Sequence, residues 1–437
     1  MAIRQPKESV PDITLGQVLH WHELQCELVT PLYGGGVQVG VIDEKLPIRA
    51  SSIRGQLRFW WRLLAKHKAD WGFNGNLAEI RKAESRLWGS AGEEVNASLV
   101  FLKVTDINGL DAKPWAKYEP HPKGGYKTLP RPESWVNVPY ILFPAQGKKP
   151  GSADSKEPST LIKASLTWNL QIAFAMNTSK AQTAQVWETL RWWANFGGLG
   201  ARTRRGLGAI RVMNQKITPI TADEAQNIGC QLVLKPQSNS VYTAWTEAVN
   251  KLQSFRQGVN FGRNAGQQPN RPGRSRWSEP DAIRRTLSTD NNQVWLKSDL
   301  KTHAPVHKAG NVFPRTAFGL PIIVKFKEYS ARDEIGRIYS QEPDSTTLQP
   351  ILIGENKPRE RMASPLILRP YFNGHGWQAA ALLLPHKHVD ALQLKLIQGN
   401  RSFDVECWDE NQAQNIDPIR DNNGTDALSA FLNYFEN

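Results

Sequence analysis

Hydrophobic spacing divides the first half of the chain into alternating strand-like and helix-like stretches. Residues 1–17 are polar and read as a loose tail. Residues 18–33 are rich in β-formers and read as a strand, which Gly34-Gly-Gly36 breaks before a loop runs to Arg49. Ser51 or Ser52 is expected to cap a helix reaching about Lys68, because Ile53, Leu57, Trp60 and Leu64 recur at helical spacing. A short helix is predicted over residues 77–88 and a strand over 98–104. Residues 105–134 and 145–160 are rich in Pro, Gly and Lys and read as long loops, with a short strand at 140–143 between them. A strand at 161–175, a helix at 180–195 and a closing strand at 207–212 complete this half.

The order strand, helix, strand, strand, helix, strand is that of the ferredoxin-like βαββαβ unit, which the RNA-recognition-motif fold shares. It assigns residues 18–220 to one α+β domain and 221–437 to a second. The second half is less regular. Strand candidates lie at 231–234, 321–326, 365–368 and 379–384, and helices at 241–255 and 425–435. Pattern alone leaves open whether these make a second, degenerate unit of the same kind.

Charge changes the picture more than length does. The 437 residues carry a net charge of +13 and a pI near 9.6, a balance that favours an anionic partner. No apolar run approaches the roughly 18 residues of a spanning helix, and residues 1–11 hold no apolar signal core, so no membrane partner is expected. Cys26, Cys230 and Cys407 stand far apart, forming neither a disulfide framework nor a CxxC knuckle. A cytoplasmic setting is the expectation.

The basic residues are clustered. Between Gly197 and Arg211 stand five glycines and four arginines with no acid: Gly197, Gly198, Gly200, Gly206 and Gly208 with Arg202, Arg204, Arg205 and Arg211. Such glycines either let backbone N–H groups approach a phosphate, with Arg202, Arg204 and Arg205 forking onto its oxygens, or simply permit a tight turn. The spacing fits neither a Walker loop nor a dinucleotide fingerprint. In the first helix Arg54, Arg58, Arg62 and Lys66 recur every four residues behind Arg49 and Ser51, and no acid intervenes from Pro47 to Ala69. Phe59, Trp60 and Trp61 interleave with them. Aromatics beside guanidinium groups suit single-stranded RNA, although Trp60 lies on the apolar face. A third patch, Arg256, Arg263, Arg271, Arg274 and Arg276 followed by Trp277, reads as a basic arm. No histidine set has zinc spacing. Asp43 and Glu44 read as loop acids more readily than as Mg²⁺ ligands, so neither metal nor cofactor is expected.

These segments together resemble a known family. Pro31-Leu-Tyr-Gly-Gly-Gly36, Ile48-Arg-Ala-Ser-Ser-Ile-Arg-Gly-Gln-Leu-Arg-Phe-Trp-Trp-Arg62, Leu87-Trp-Gly-Ser90 and the glycine segment come in the order found in the RAMP superfamily of CRISPR effector proteins. Gly273-Arg-Ser-Arg-Trp277, Phe313-Pro-Arg-Thr-Ala-Phe-Gly-Leu-Pro321 and Arg361-Met-Ala-Ser-Pro365 resemble the first-RAMP-subunit group of the type III-B Cmr complex. The resemblance implies two ferredoxin-like domains packed together in a non-catalytic subunit. Its implied partners are other Cmr subunits, guide RNA near its 3′ end, and the paired target RNA. It places Arg54, Arg58 and Arg62 on the family's basic first helix. Gly198, Gly200, Arg204, Arg205, Gly206 and Gly208 fall on its glycine loop, and Arg276 and Trp277 on a second-domain motif. Two rivals remain: an endoribonuclease using Asp43, Glu44 or His67, and a scaffold that touches only protein.

Overall fold

The computed structural model describes residues 19–91, 95–214, 217–264, 274–288, 307–326, 330–332, 338–340, 342–351, 358–386, 393–407 and 409–437. The expected tail at 1–17 and Arg271 lie outside the described residues. The main elements, in chain order, are β1 (His22–Leu28), α1 (Ala50–His67), α2 (Leu77–Trp88), β2 (Val100–Asn108), β3 (Thr167–Phe174), α3 (Lys180–Phe196) and β4 (Ile210–Val212). They are followed by β5 (Gln231–Ser238), α4 (Val241–Gln257), β6 (Leu366–Phe372), β7 (Trp377–Leu383) and α5 (Ala427–Glu436). The chain is thus mixed helix and strand with several antiparallel sheets.

The first sheet runs β2-β3-β1-β4, every pair antiparallel, with Cys26 opposite Trp168 on one side and Val212 on the other. Alternation explains its inner face: Leu24, Cys26 and Leu28 of β1 are buried while Glu23, Gln25 and Glu27 between them are not. Helices α1 and α3 cover that face through Ile53, Leu57, Trp60, Val186, Leu190 and Trp193. Ser179 and Gln182 form a reciprocal capping box at the start of α3.

The second sheet runs β5-β7-β6, again antiparallel. It is buried on both faces. Leu368, Ala381 and Leu383 pack with Ala248 and Leu252 of α4 and Phe431 of α5. Ile367, Tyr371, Ala380 and Leu382 turn the other way and join the core under α3. Burial on both faces is why these strands read as near-continuous apolar runs rather than alternating ones. Pro370 is tolerated because β6 is an edge strand. A further sheet orders Ile322–Val324, Thr346–Ile351, Gln393–Gln398 and Arg401–Glu406.

Several expectations are corrected. α1 starts at Ala50 with extended Arg49 as its cap residue and no side-chain cap bond, so neither Ser51 nor Ser52 caps it. The expected strand at 140–143 is a helical turn, Pro139–Leu142, with proline in its first turn. The stretch 18–33 divides into β1 and Leu32–Tyr33, and 161–175 into Thr160–Ile162 and β3, with Ser165 between them at φ +83°. Thr160–Ile162 pairs with Leu32–Tyr33 on one side and with Ala112–Pro114 on the other, in a separate sheet. The 105–160 insertion is therefore packed rather than loose. Trp115, Val136, Ile141 and Leu142 make a third core with Leu207, Trp245 and Val249, and the Trp115 indole N–H donates to Ala145 O at 2.9 Å.

The glycine segment threads between the first sheet, this third core and the second sheet, and it has no room for side chains. A Cβ on Gly208 would stand 1.9 Å from Leu199 O, and one on Gly206 2.7 Å from Trp245 and 2.8 Å from Leu368 O, both at positive φ. Gly206→Ala should therefore lower the unfolding free energy by about 2–4 kcal/mol, through left-handed strain and overpacking. Gly55→Ala, in open space on α1, should raise it by up to about 1 kcal/mol. Urea titration of both variants measures this contrast.

Candidate nucleic-acid interface

The arginine stripe of α1 divides by depth. Arg54, nearest the start, is tied inward: its guanidinium donates to Ser98 Oγ at 2.7 Å and Val100 O at 2.9 Å. One turn on, Arg58 Nε reaches Glu84 Oε1 of α2 at 2.7 Å, and Arg62 Nη1 reaches the same oxygen at 2.7 Å. Glu84 is buried, whereas the Arg62 side chain is 49% exposed and Lys66 is exposed. One carboxylate thus serves two guanidiniums and leaves a positive excess at the surface. Arg81, Lys82 and Arg86 of α2 add to it, against exposed Glu79. Ser51 is exposed in a first turn that holds no acid, and Arg49 donates to the carbonyls of Gly35 and Gly36, fixing the triple-glycine turn. Trp61 is buried against Trp71 and Phe73, with its indole N–H aimed at Gln185 Oε1 at 3.4 Å. Its part is packing, not stacking on a base.

The glycine segment is turned inward. Gly208 N donates to Pro31 O at 2.8 Å, Leu199 N to Gly208 O at 2.9 Å and Ala201 N to Tyr33 O at 2.7 Å. Arg205 is buried and donates to Leu366 O at 2.9 Å and Phe318 O at 2.7 Å, both in the second half of the chain. Arg204 donates to Ser364 O at 2.9 Å and lies over the Phe59 ring at 4.9 Å. From the opposite side, buried Arg369 of β6 donates to Gly197 O at 2.5 Å and Ile210 O at 2.7 Å. Burial lowers the guanidinium pKa to about 10 in Arg204 and about 9 in Arg205 and Arg369. All three stay charged at neutral pH. Arg204 and Arg205 therefore join the two halves, and Gly197, Gly198, Gly200, Gly206 and Gly208 make the junction thin enough to close. Arg202 differs. It adopts φ +62° and lays its guanidinium over Phe143, 5.2 Å away, whose ring is 54% exposed.

The second-half patch is also largely structural. Arg276 pairs with Asp417 at 3.1 Å and Asp421 at 2.6 Å, and Trp277 is buried edge-on against Phe255. Arg274 pairs with Asp281 at 2.7 Å. Arg263 is exposed, and Arg256 bonds the Tyr140 hydroxyl at 3.1 Å. The structure therefore brings Ser51, Arg62 and Lys66 to the surface, leaves Arg49, Arg54, Arg58 and Arg202 half-buried, and encloses Trp61, Arg205 and Trp277. Sequence reasoning missed Arg369, Glu84 and Tyr140. Arg369 sits in an apolar run where a charge with no sequence neighbour to pair was the available signal.

Asp43 accepts from the N–H groups of Lys45 and Leu46 at 3.1 and 3.0 Å, capping its own loop. Burial, with Lys66 adding repulsion, lowers the His67 pKa. Burial pushes the Cys26 and Cys230 thiols up to about 12, which disfavours the thiolate a metal needs. Among the described residues no three His, Cys, Asp or Glu converge to hold a metal. Among them, too, no helix is long and apolar enough to cross a membrane. A cavity of about 350 Å³ opens beside the edge strands β4 and β6, where Arg211 lies 4.0 Å from the Phe372 ring.

Residues 25–211 match the family model of the RAMP superfamily. The matched segment holds the first sheet, both its helices and the glycine junction. It is 24% identical over 190 residues to the CRISPR system Cmr subunit Cmr1-2 of Pyrococcus furiosus, covering 43% of this chain and 91% of that one. Two solved structures are also similar. One is Cmr1 of Pyrococcus furiosus in its apo form, at 12% identity and TM-score 0.37, covering 84% of this chain and 88% of that one. The other is a chain of the type III-B Cmr-beta complex bound to cognate target RNA, at 12% identity and TM-score 0.37, covering 96% and 100%.

The shared carboxylate gives a prediction. Glu84→Ala should lower the unfolding free energy by about 1–2 kcal/mol, less than a fully buried pair would lose because Arg62 is half exposed. It should leave RNA affinity equal or higher, since two guanidiniums lose their counter-charge. Chemical unfolding beside a filter-binding titration reads both outcomes.

Proposed function

We propose that the chain is a non-catalytic, RNA-binding subunit of a type III-B CRISPR interference (Cmr) complex. It engages guide RNA near its 3′ end together with the paired target RNA, for antiviral defence in the cytoplasm. The observation that carries RNA binding is the α1–α2 surface, where Arg58 and Arg62 share the one carboxylate of Glu84 while Lys66, Arg81, Lys82 and Arg86 stand in solvent. The names of the relatives supply the complex and its other subunits as partners. In a guide-directed system base pairing reads the sequence, so a protein that grips phosphates and duplex shape suffices.

The fold reading belongs to the same proposal. Counted in chain order, the first sheet runs 2-3-1-4 with a helix after its first and third strands, as in a ferredoxin-like unit. The second sheet runs 1-3-2 with α4 and α5 packed on one face, which is that unit without its fourth strand. We read the chain as two such units packed together.

Arg62→Glu and Lys66→Glu should each weaken binding about equally for RNAs of unrelated sequence. Each should also lower the slope of log affinity against log salt by about one per lost phosphate contact. Wild-type affinity and slope in both variants would contradict the reading. Incubating the pure chain with labelled guide precursor and target, with and without Mg²⁺, tests the enzyme alternative. Cleavage that disappears in Asp43→Ala, Glu44→Ala or His67→Ala would replace the proposal.

A further inference from the structure

Guanidinium groups from three segments gather around Tyr140 and Phe318, away from the α1 stripe. Arg256, at the end of α4, donates to the Tyr140 hydroxyl at 3.1 Å and lies 5.5 Å from the Phe318 ring centre. Arg205 reaches the Phe318 carbonyl at 2.7 Å. Arg202 lies over Phe143, three residues beyond Tyr140. Arg315, in the turn Pro314–Phe318, brings a fourth guanidinium near, but buried Glu279 is spent on it at 3.0 Å. Among the described residues no carboxylate pairs with Arg202, Arg205 or Arg256.

Like charges gathered this way repel, and their burial costs solvation. Burial and the neighbouring arginines accordingly lower the guanidinium pKa of Arg202 and Arg205. Moreover, the Nε atoms of Arg202 and Arg256 are buried with no hydrogen-bond partner among the described residues. Several indole N–H groups in the cores are unpartnered too, but an unmet donor on a charged guanidinium is costlier and calls for an acceptor. The need here is for an acceptor with negative charge and several oxygens, able to serve guanidiniums that arrive from different directions. A phosphate has that geometry, and arginine forks match it. Exposed Phe143 beside Arg202 offers a ring for a base attached to the phosphate.

We infer that Arg202 and Arg256, with Tyr140 and Phe143 of the 105–160 insertion, form a phosphate-binding pocket, filled by a phosphate of an RNA strand or of a free mononucleotide. The inference rests on the proposed function only for the RNA source; the pocket itself is argued from its own residues.

The test uses the full purified chain and isothermal titration with inorganic phosphate, uridine 5′-monophosphate, uridine and a short oligouridylate, all at one ionic strength set with chloride. Wild type should bind phosphate and the mononucleotide but not uridine. Arg202→Gln and Arg256→Gln should each lose roughly tenfold or more in affinity, the scale of a charge-assisted bond, while Lys180→Gln, at an exposed lysine at the start of α3, keeps wild-type phosphate binding. Arg202→Gln carries the test alone if Arg256→Gln does not fold, because the Arg202 guanidinium makes no bond across the junction. Oligouridylate binding well above the mononucleotide identifies an RNA strand as the source; equal binding identifies the free nucleotide. The pocket is refuted if phosphate binds wild type and variants alike, or not at all. It is equally refuted if an oligoglutamate peptide binds as tightly as phosphate, which would indicate an acidic protein partner. Loss of phosphate binding here and loss of RNA affinity in Arg62→Glu are independent outcomes, so the two readings fail separately.

Discussion

Two buried arginines that bond to carbonyl oxygens rather than carboxylates hold the two halves of the molecule together. Arg205 leaves the first unit and donates to Leu366 O and Phe318 O; Arg369 leaves the second and donates to Gly197 O and Ile210 O. A guanidinium taken from water is costly unless its donors are met, and each of these meets peptide dipoles in fixed positions. The exchange works only if the backbones approach closely. That closeness requires the glycines between α3 and β4, where even a methyl group on Gly208 would collide with Leu199 O. The glycine–arginine segment is therefore a junction first. Arg204 and Arg205 are spent on the second half of the chain, and Arg211 pairs with Glu27 of β1, so the proposed RNA-binding surface lies elsewhere.

Much of the local structure was legible because it depends on spacing alone. The residues expected to face the core on α1 are buried, and the helix at residues 77–88 has the bounds its pattern indicated. What failed depends on contacts distant in sequence. Ser51 and Ser52 looked like caps, yet the chain enters α1 extended at Arg49, whose side chain is occupied by the triple-glycine turn. The insertion looked like loop because it is rich in Pro, Gly and Lys. Trp115, Val136 and Ile141 meet only when the second unit supplies Trp245 and Val249. The strand expected at 365–368 runs on through Arg369 and Pro370 to Phe372. The edge position of β6 admits the proline, and the junction employs the arginine.

The candidate interface was half legible for the same reason. A helix without acids from Pro47 to Ala69 signals a basic surface correctly, but sequence cannot say that Glu84 on another helix answers two of its arginines. Nor does it separate tryptophans that stack on a ligand from those that fill a core. Trp61 and Trp277 are fully enclosed. Exposure narrows the proposed contact surface to Ser51, Arg62 and Lys66 on α1, together with Arg202 and Phe143. This division of labour, with inward arginines holding units together and outward ones meeting phosphate, is the central claim.

Photo-crosslinking of the assembled complex, with 4-thiouridine placed along guide and target, tests it most directly. Peptide mapping should find adducts on the outer face of α1 between Arg62 and Lys66 or around Arg202 and Phe143, and none from Arg205 to Ala209. Adducts confined to the Arg205–Ala209 stretch, or RNA that crosslinks to other subunits but nowhere on this chain, would contradict the account.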